Sequence, residues 1–246
     1  MGHVLILALD TSSPSGSVAI LRDEKILGLI STWTEEMHSA RMFRHVEFLL
    51  QELSLRLNDF DLFAVVAGPG SFTGLRVGLT AVKGWAETFE KPIAAISGLE
   101  AVAALARSAT SLLVPVLDAR RGEVYFGFYR QSSDYEKRSL ALEGEERVAA
   151  PDEFLHALKP LGPASDFAIV TPSPAAVAQI LGRSEIPASR IVEVSPILAP
   201  SVGRLGYARA LRGELANALT LDANYIRRSD AELHLKQASD HEHSAD

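Results

Sequence analysis

Three short stretches carry the residues that could do chemistry. Asp10-Thr11-Ser12 closes the apolar run of residues 4–9, and an acid at the end of a buried strand is suited to hold magnesium beside a phosphate. The plainer alternative is a polar turn. The string GPGSFTGLRVG, residues 68–78, places Gly68, Pro69, Gly70 and Ser71 between an apolar run and a helical pattern. Backbone amides at a helix start favour an anion, so Gly68, Gly70 and Ser71 with Asp10, Thr11 and Ser12 form a candidate phosphate site. A tight strand-to-helix turn that binds nothing is the reading that spacing alone favours. The string is not a Walker loop, because it lacks the Gly-Lys-Ser/Thr ending, and it lacks the glycine spacing of a dinucleotide fingerprint. Finally, Asp118, Arg120 and Arg121 concentrate charge at the end of a strand, where α/β folds place ligands. A lobe cleft, a partner contact and an exposed hairpin turn are all open readings of them.

Other chemistries are excluded or weakened by what the chain lacks. It has no cysteine among its 246 residues, which removes disulfides, thiolate nucleophiles and cysteine-ligated metals. Its seven histidines do not make a metal site: His38 and His45 are not one turn apart, there is no His-Glu-x-x-His, and His241 and His243 fall in a polar end. No Gly-x-Ser-x-Gly elbow is present. With 24 basic and 31 acidic residues the formal charge is −7, which argues against gripping a phosphate backbone unaided. The apolar start is too short for a membrane span and lacks the features of a signal peptide, so the chain reads as cytoplasmic.

Periodicity supplies the elements that must position these residues. Apolar runs at 4–9, 17–21 and 26–32 predict an antiparallel meander, and residues 39–57 repeat apolar positions every three or four as an amphipathic helix. A strand at 62–67 leads through the glycine-rich turn into a helix over 75–89. Then come a strand at 93–96, a helix at 99–109, and strands at 113–117 and 123–130. The polar run 131–146 reads as a hairpin or exposed loop. Helices at 151–158, 174–181 and 201–212 surround a strand at 167–170, residues 222–228 return toward the body, and 237–246 read as disordered. The order implies mixed sheets flanked by helices. The division reads as 1–110, 111–236 and a tail, and no repeat of fixed period is visible.

Gly74 and Gly78 lie one turn apart within the helix, with Ala81 and Trp85 continuing that face. A helical glycine costs about 1 kcal/mol against alanine, so two on one face mean that another backbone comes close. Spacing alone allows a partner's helix or the chain's own sheet.

Taken in order, LALDTSSPSGSVAIL, HSARMF, VVAGPGSFTGLRVGLTAVKGWAE and VPVLDARRGEVYF resemble the TsaB (YeaZ) family of the glycoprotease-like superfamily, across about residues 4 to 130, and LDANYIRRSDAE resembles its closing Tyr-x-Arg segment. The resemblance implies an α/β, two-lobed fold of the actin-like ATPase, sugar-kinase and Hsp70-like type. It implies a non-catalytic subunit that assists threonylcarbamoylation of adenosine in tRNA by dimerising with the homologous TsaD, and that forms a homodimer when alone. TsaE joins the larger complex, TsaC makes the donor, and tRNA is met indirectly. ATP and metal then belong to partner subunits, with no cofactor expected on this chain and no membrane. In TsaD an Asn-His-x-x-x-His segment supplies metal ligands; the corresponding Ser97-Gly98-Leu99-Glu100-Ala101 has no histidine. The partner surface expected from the resemblance is Gly74, Leu75, Val77, Gly78, Ala81, Val82 and Trp85. The alternative is an independent ATPase or sugar kinase using Asp10 and the Gly68 turn. A metalloprotease would need ligands that are missing.

Overall fold

Two five-stranded sheets of the same topology are joined through a shared core. The computed structural model describes residues 2–33, 38–106, 110–132, 139–162, 165–221, 224 and 226. The first sheet uses β1 (Leu5–Asp10), β2 (Ser17–Arg22), β3 (Lys25–Ser31), β4 (Leu62–Gly68) and β5 (Ile93–Ser97) in the order β3-β2-β1-β4-β5. β1, β2 and β3 pair antiparallel, whereas β4 and β5 join parallel. The second sheet uses β6 (Leu112–Asp118), β7 (Val124–Gln131), β8 (Leu140–Ala149), β9 (Phe167–Thr171) and β10 (Ile191–Glu193) in the order β10-β9-β6-β7-β8. Here too a three-stranded antiparallel meander is extended by two parallel strands. The repeat lies in the topology and is invisible in the residues.

Helices cover the first sheet on both faces, so β1 and β4 are buried along their whole length and read as continuous apolar runs rather than alternating ones. α1 (His38–Glu52) and α2 (Phe72–Phe89) lie on one face and α6 (Ala199–Arg212) on the other. Neighbouring residues of β4 show this: a Cβ on Gly78 of α2 would meet Val65, and one on Gly206 of α6 would meet Ala64. A division at residue 110 places α6 with the second half of the chain. The helix in fact packs on the first sheet, because Gly203 and Gly206 let its backbone lie against Leu21 and Ala64.

α3 (Gly98–Ala103), with Leu99, Ala101, Val102 and Ala103 buried, sits against strands of both sheets. The second sheet therefore alternates. Leu113, Tyr125, Ala168 and Val170 join the core shared with the first sheet, while Val114, Phe126 and Ile169 pack under α4 (Pro151–Leu158) and α5 (Pro174–Leu181). Phe126 and Phe154 meet edge-on at 5.0 Å between ring centres.

The polar stretch 131–146, expected to be a hairpin or exposed loop, leads into a ten-residue edge strand, β8, which pairs antiparallel with β7. Most of its side chains are exposed, so its composition carries no apolar alternation. Residues 133–138, the end of the helix expected over 99–109, and the expected disordered tail lie outside the described residues. No helix among the described residues is long and apolar enough to cross a membrane.

Candidate functional site

The C-terminal ends of β1, β4, β5 and β6 converge where the two sheets meet. Asp10 ends β1, Gly68 ends β4, Ser97 ends β5 and Asp118 ends β6. The ends of β4, β5 and β6 come together at Gly98, next to Ser97: a Cβ there would lie 3.2 Å from the Pro69 carbonyl oxygen and 3.5 Å from the Leu117 side chain of β6. A side chain at this position would press on the Pro69 carbonyl and leave no free space between the two sheets.

The structure brings the predicted Asp10 and Gly68 groups together. The Ser71 amide donates to the Ser12 carbonyl at 2.8 Å, and the Thr11 hydroxyl donates to the Gly74 carbonyl at 2.7 Å. Ser71 caps α2 by accepting from the Gly74 amide. A Cβ on Gly70 would fall 2.6 Å from Ser12 Cβ. Thus the glycines admit the chain's own Asp10-Thr11-Ser12 turn, and two of the polar groups that could cradle an anion are engaged internally.

Asp10 is the electrostatic anomaly of the site. It is 1 % exposed. Its Oδ1 accepts from the Ser12 amide at 2.9 Å and the Ser12 hydroxyl at 2.6 Å, while its Oδ2 is buried with no hydrogen-bond partner among the described residues. Burial raises its pKa from 3.8 to about 6, and the two Ser12 hydrogen bonds offset only part of that. An uncompensated buried carboxyl is costly.

Asp118, Arg120 and Arg121 form a different kind of feature. They lie in the β6–β7 hairpin, exposed, with Arg120 at φ 60° and Arg121 at φ 56°. Ala119 donates to the Glu123 carbonyl at 3.0 Å, and the Asp118 carboxylate accepts from the Arg120 amide at 2.7 Å. Three successive left-handed residues, the third being Gly122 at φ 78°, carry the hairpin turn, and the two arginines do so at a cost that glycine would avoid.

The surface expected to meet a partner needs correction. Gly74, Leu75, Gly78, Ala81 and Val82 are buried in the chain's own interior, and Val77 and Trp85 are partly buried. A Cβ on Gly78 would lie 2.5 Å from Thr11 Oγ1. What the Gly78 side of the helix approaches is the Thr11 and Val65 side chains of this same chain. The opposite face of α2 is the open one: Thr73, Arg76, Thr80, Gly84 and Glu87 are exposed, and nothing lies within 4 Å of a Cβ built on Gly84. Beside it α1 exposes Phe43 (47 %), which meets Trp85 edge-on at 6.1 Å.

Several residues that the sequence does not single out complete the junction. Glu146 of β8 accepts from the Ser97 hydroxyl, from the Tyr129 hydroxyl at 2.5 Å and from the Asn224 amide group at 2.8 Å. Burial, with Glu146 beside it, pushes the Tyr129 phenol well above its usual range. Arg209 of α6 donates to the Ala95 carbonyl and to Glu100 at 2.5 Å; burial still raises the Glu100 carboxyl against the pull of that arginine. Glu146 sits in a polar run, and only its distant partners distinguish it from its neighbours.

Ser97 also caps α3, accepting from the Leu99 and Glu100 amides. The stretch from Ser97 to Ala101 therefore builds the inter-sheet packing, and among the described residues no cluster of three histidine, cysteine or acidic side chains is placed to hold a metal.

Fold and site define a two-lobed α/β protein whose repeated sheets, in the arrangement expected of the actin-like class, meet at strand ends closed by their own chain. The comparisons narrow this. A model of the family described as "TsaD: tRNA N6-adenosine threonylcarbamoyltransferase" matches residues 20–179. The chain is 39 % identical over 125 residues to the tRNA threonylcarbamoyladenosine biosynthesis protein TsaB of Bacillus subtilis, covering 51 % of this chain and 55 % of that one. It is 32 % identical over 131 residues to TsaB of Escherichia coli, covering 52 % and 56 %. The chain spans about half the length of the curated relatives it matches. Among solved structures, a Pseudomonas aeruginosa protein similar to peptidase YeaZ superposes with TM-score 0.75 at 28 % identity over 91 % of this chain and all of that one. YeaZ from the same organism gives 0.71 at 26 %, covering 90 % and 99 %. The chain belongs to the TsaD-type, glycoprotease-like family, within its TsaB/YeaZ branch.

Proposed function

We propose that this chain serves tRNA threonylcarbamoyladenosine biosynthesis as a subunit that docks on a TsaD-type partner, with the chemistry carried out on that partner. The names of its TsaB relatives support the process. The observation that carries the docking is the open face of α1 and α2: half-exposed Phe43, edge-on to Trp85, and on α2 Gly84, a mid-helix glycine with empty space around it. Such a glycine forfeits about 1 kcal/mol of helix propensity with no compensating contact in its own chain. A second helix lying across it would use the missing side chain and cover the aromatic rings. The partner expected there is homologous to this chain, and without it a second copy uses the same face. TsaE, ATP, metal and tRNA are assigned to the larger assembly.

The test is co-purification with the TsaD-type protein of the same organism. Gly84→Trp and Phe43→Asp should abolish capture while leaving the isolated chain folded. Retention of capture by both would move the interface elsewhere.

One observation favours a second reading, an independent ATPase or sugar kinase: the buried Asp10 with its unpartnered oxygen. That reading requires the purified chain to hydrolyse ATP or phosphorylate a sugar, with the activity lost in Asp10→Ala.

A further inference from the structure

Asn224 stands directly over the Gly68 turn. Its backbone amide donates to the Ala67 carbonyl at 2.7 Å, at the end of β4. Its carbonyl oxygen occupies the space before Gly68, 2.2 Å from where a Cβ would be. Gly68 has φ +128°, a conformation that side-chain-bearing residues avoid. Buried Leu221 and core-packed Ile226 flank Asn224 on either side. The turn is thus covered by a residue more than 150 positions later in the chain.

One side chain holds it there. The Asn224 Nδ2 group donates to Glu146 Oε2 at 2.8 Å, while Glu146 Oε1 accepts from Ser97 and Tyr129. Ser97 ends β5 of the first sheet; Tyr129 and Glu146 belong to β7 and β8 of the second. Glu146 therefore bridges the two sheets and the covering residue at once. Separating the sheets would draw Glu146 away from Ser97 and disturb the oxygen pair that also holds Asn224.

From these contacts we infer that Asn224 is a removable plug on the Gly68 turn, that Glu146 is its clasp, and that opening the turn is coupled to parting the two sheets. The device rests on the fold alone and stands or falls apart from the docking on α1 and α2.

Amide hydrogen exchange of the full chain, resolved by residue, tests it. Glu146→Gln keeps one carbonyl oxygen for Ser97 and Tyr129 but turns an amide donor toward Asn224, which must flip its own amide to accept from it, so the charge-assisted bond is lost. Exchange at the Asn224 amide should rise at least about tenfold, as expected for losing one charge-assisted hydrogen bond, while β1 and β4 remain protected. Asn224→Asp alone sets two carboxylates together and should open the plug further. The double variant Glu146→Gln with Asn224→Asp restores a donor–acceptor pair and should return protection toward wild type. Unchanged exchange at Asn224 in both single variants, a uniform rise across the chain, or no rescue in the double variant would each overturn the clasp.

Discussion

The same strand order is built twice, yet the two copies treat an equivalent acid in opposite ways. In each sheet the first strand of the meander ends in aspartate before turning into the second: Asp10 between β1 and β2, Asp118 between β6 and β7. Asp10 is sealed beneath the α2 entry with one oxygen unpartnered and its pKa pushed to about 6. Asp118 is exposed, holding the Arg120 amide of a strained arginine turn. Topology repeats and environment does not. The first sheet has invested buried polar groups and close backbone contacts at this corner, whereas the second keeps it solvent-facing.

The largest contrast lies in tolerance to volume. Gly78→Leu must displace Thr11, which bonds Gly74, so it should destabilise the chain by about 3 kcal/mol or more. Gly84→Ala on the open face of the same helix should instead stabilise the isolated chain by about 1 kcal/mol. Urea unfolding of the two variants compares them directly, and equal effects would break the distinction between the two faces.

Charge gives the next contrast. The folded-state carboxyl of Asp10 holds its proton more tightly than the unfolded chain does. Its contribution is therefore fully present below about pH 4 and is lost as pH rises through about 6, a change on the order of 3 kcal/mol. Asp10→Asn should flatten stability over that window and raise the melting temperature at pH 7.5. Asp118→Asn, at an exposed acid, should change stability by under about 0.5 kcal/mol. Thermal melts across pH 4 to 8 measure both.

The smallest of the main effects concerns the hairpin. Replacing Arg120 or Arg121 by glycine relieves a left-handed backbone and should stabilise by about 1 kcal/mol each. A loss of capture by the TsaD-type partner in the same variants would place the turn in the interface; retained capture would leave it a hairpin device.

How legible this was depended on whether a residue's partners are near in sequence. β1, β2, β4 and α2 stood out because fully buried strands and an amphipathic helix write their burial into local composition. β8 did not, since an edge strand facing water carries the polar residues of a loop. Gly74 and Gly78 signalled close approach, but spacing cannot say what approaches, and the answer was the Thr11 and Val65 side chains of the same chain rather than another backbone. Gly84, the glycine with nothing near it, had no periodic companion to mark it. The polar junction was hidden for a different reason: Glu146, Ser97 and Asn224 are drawn together from 49 and 78 residues apart, a distance over which composition says nothing. Asp10 was noticed for its type and position, while its burial and unpartnered oxygen emerged only from the packing of α2 above it.

Docking of the α1–α2 face on a catalytic partner, as proposed, is tested most directly by formation of threonylcarbamoyladenosine in tRNA by the reconstituted TsaD-type system. Product should appear with the wild-type chain and fall to the level without it when Gly84→Trp is supplied. Equal product with wild type, with Gly84→Trp and with no chain at all would contradict the account.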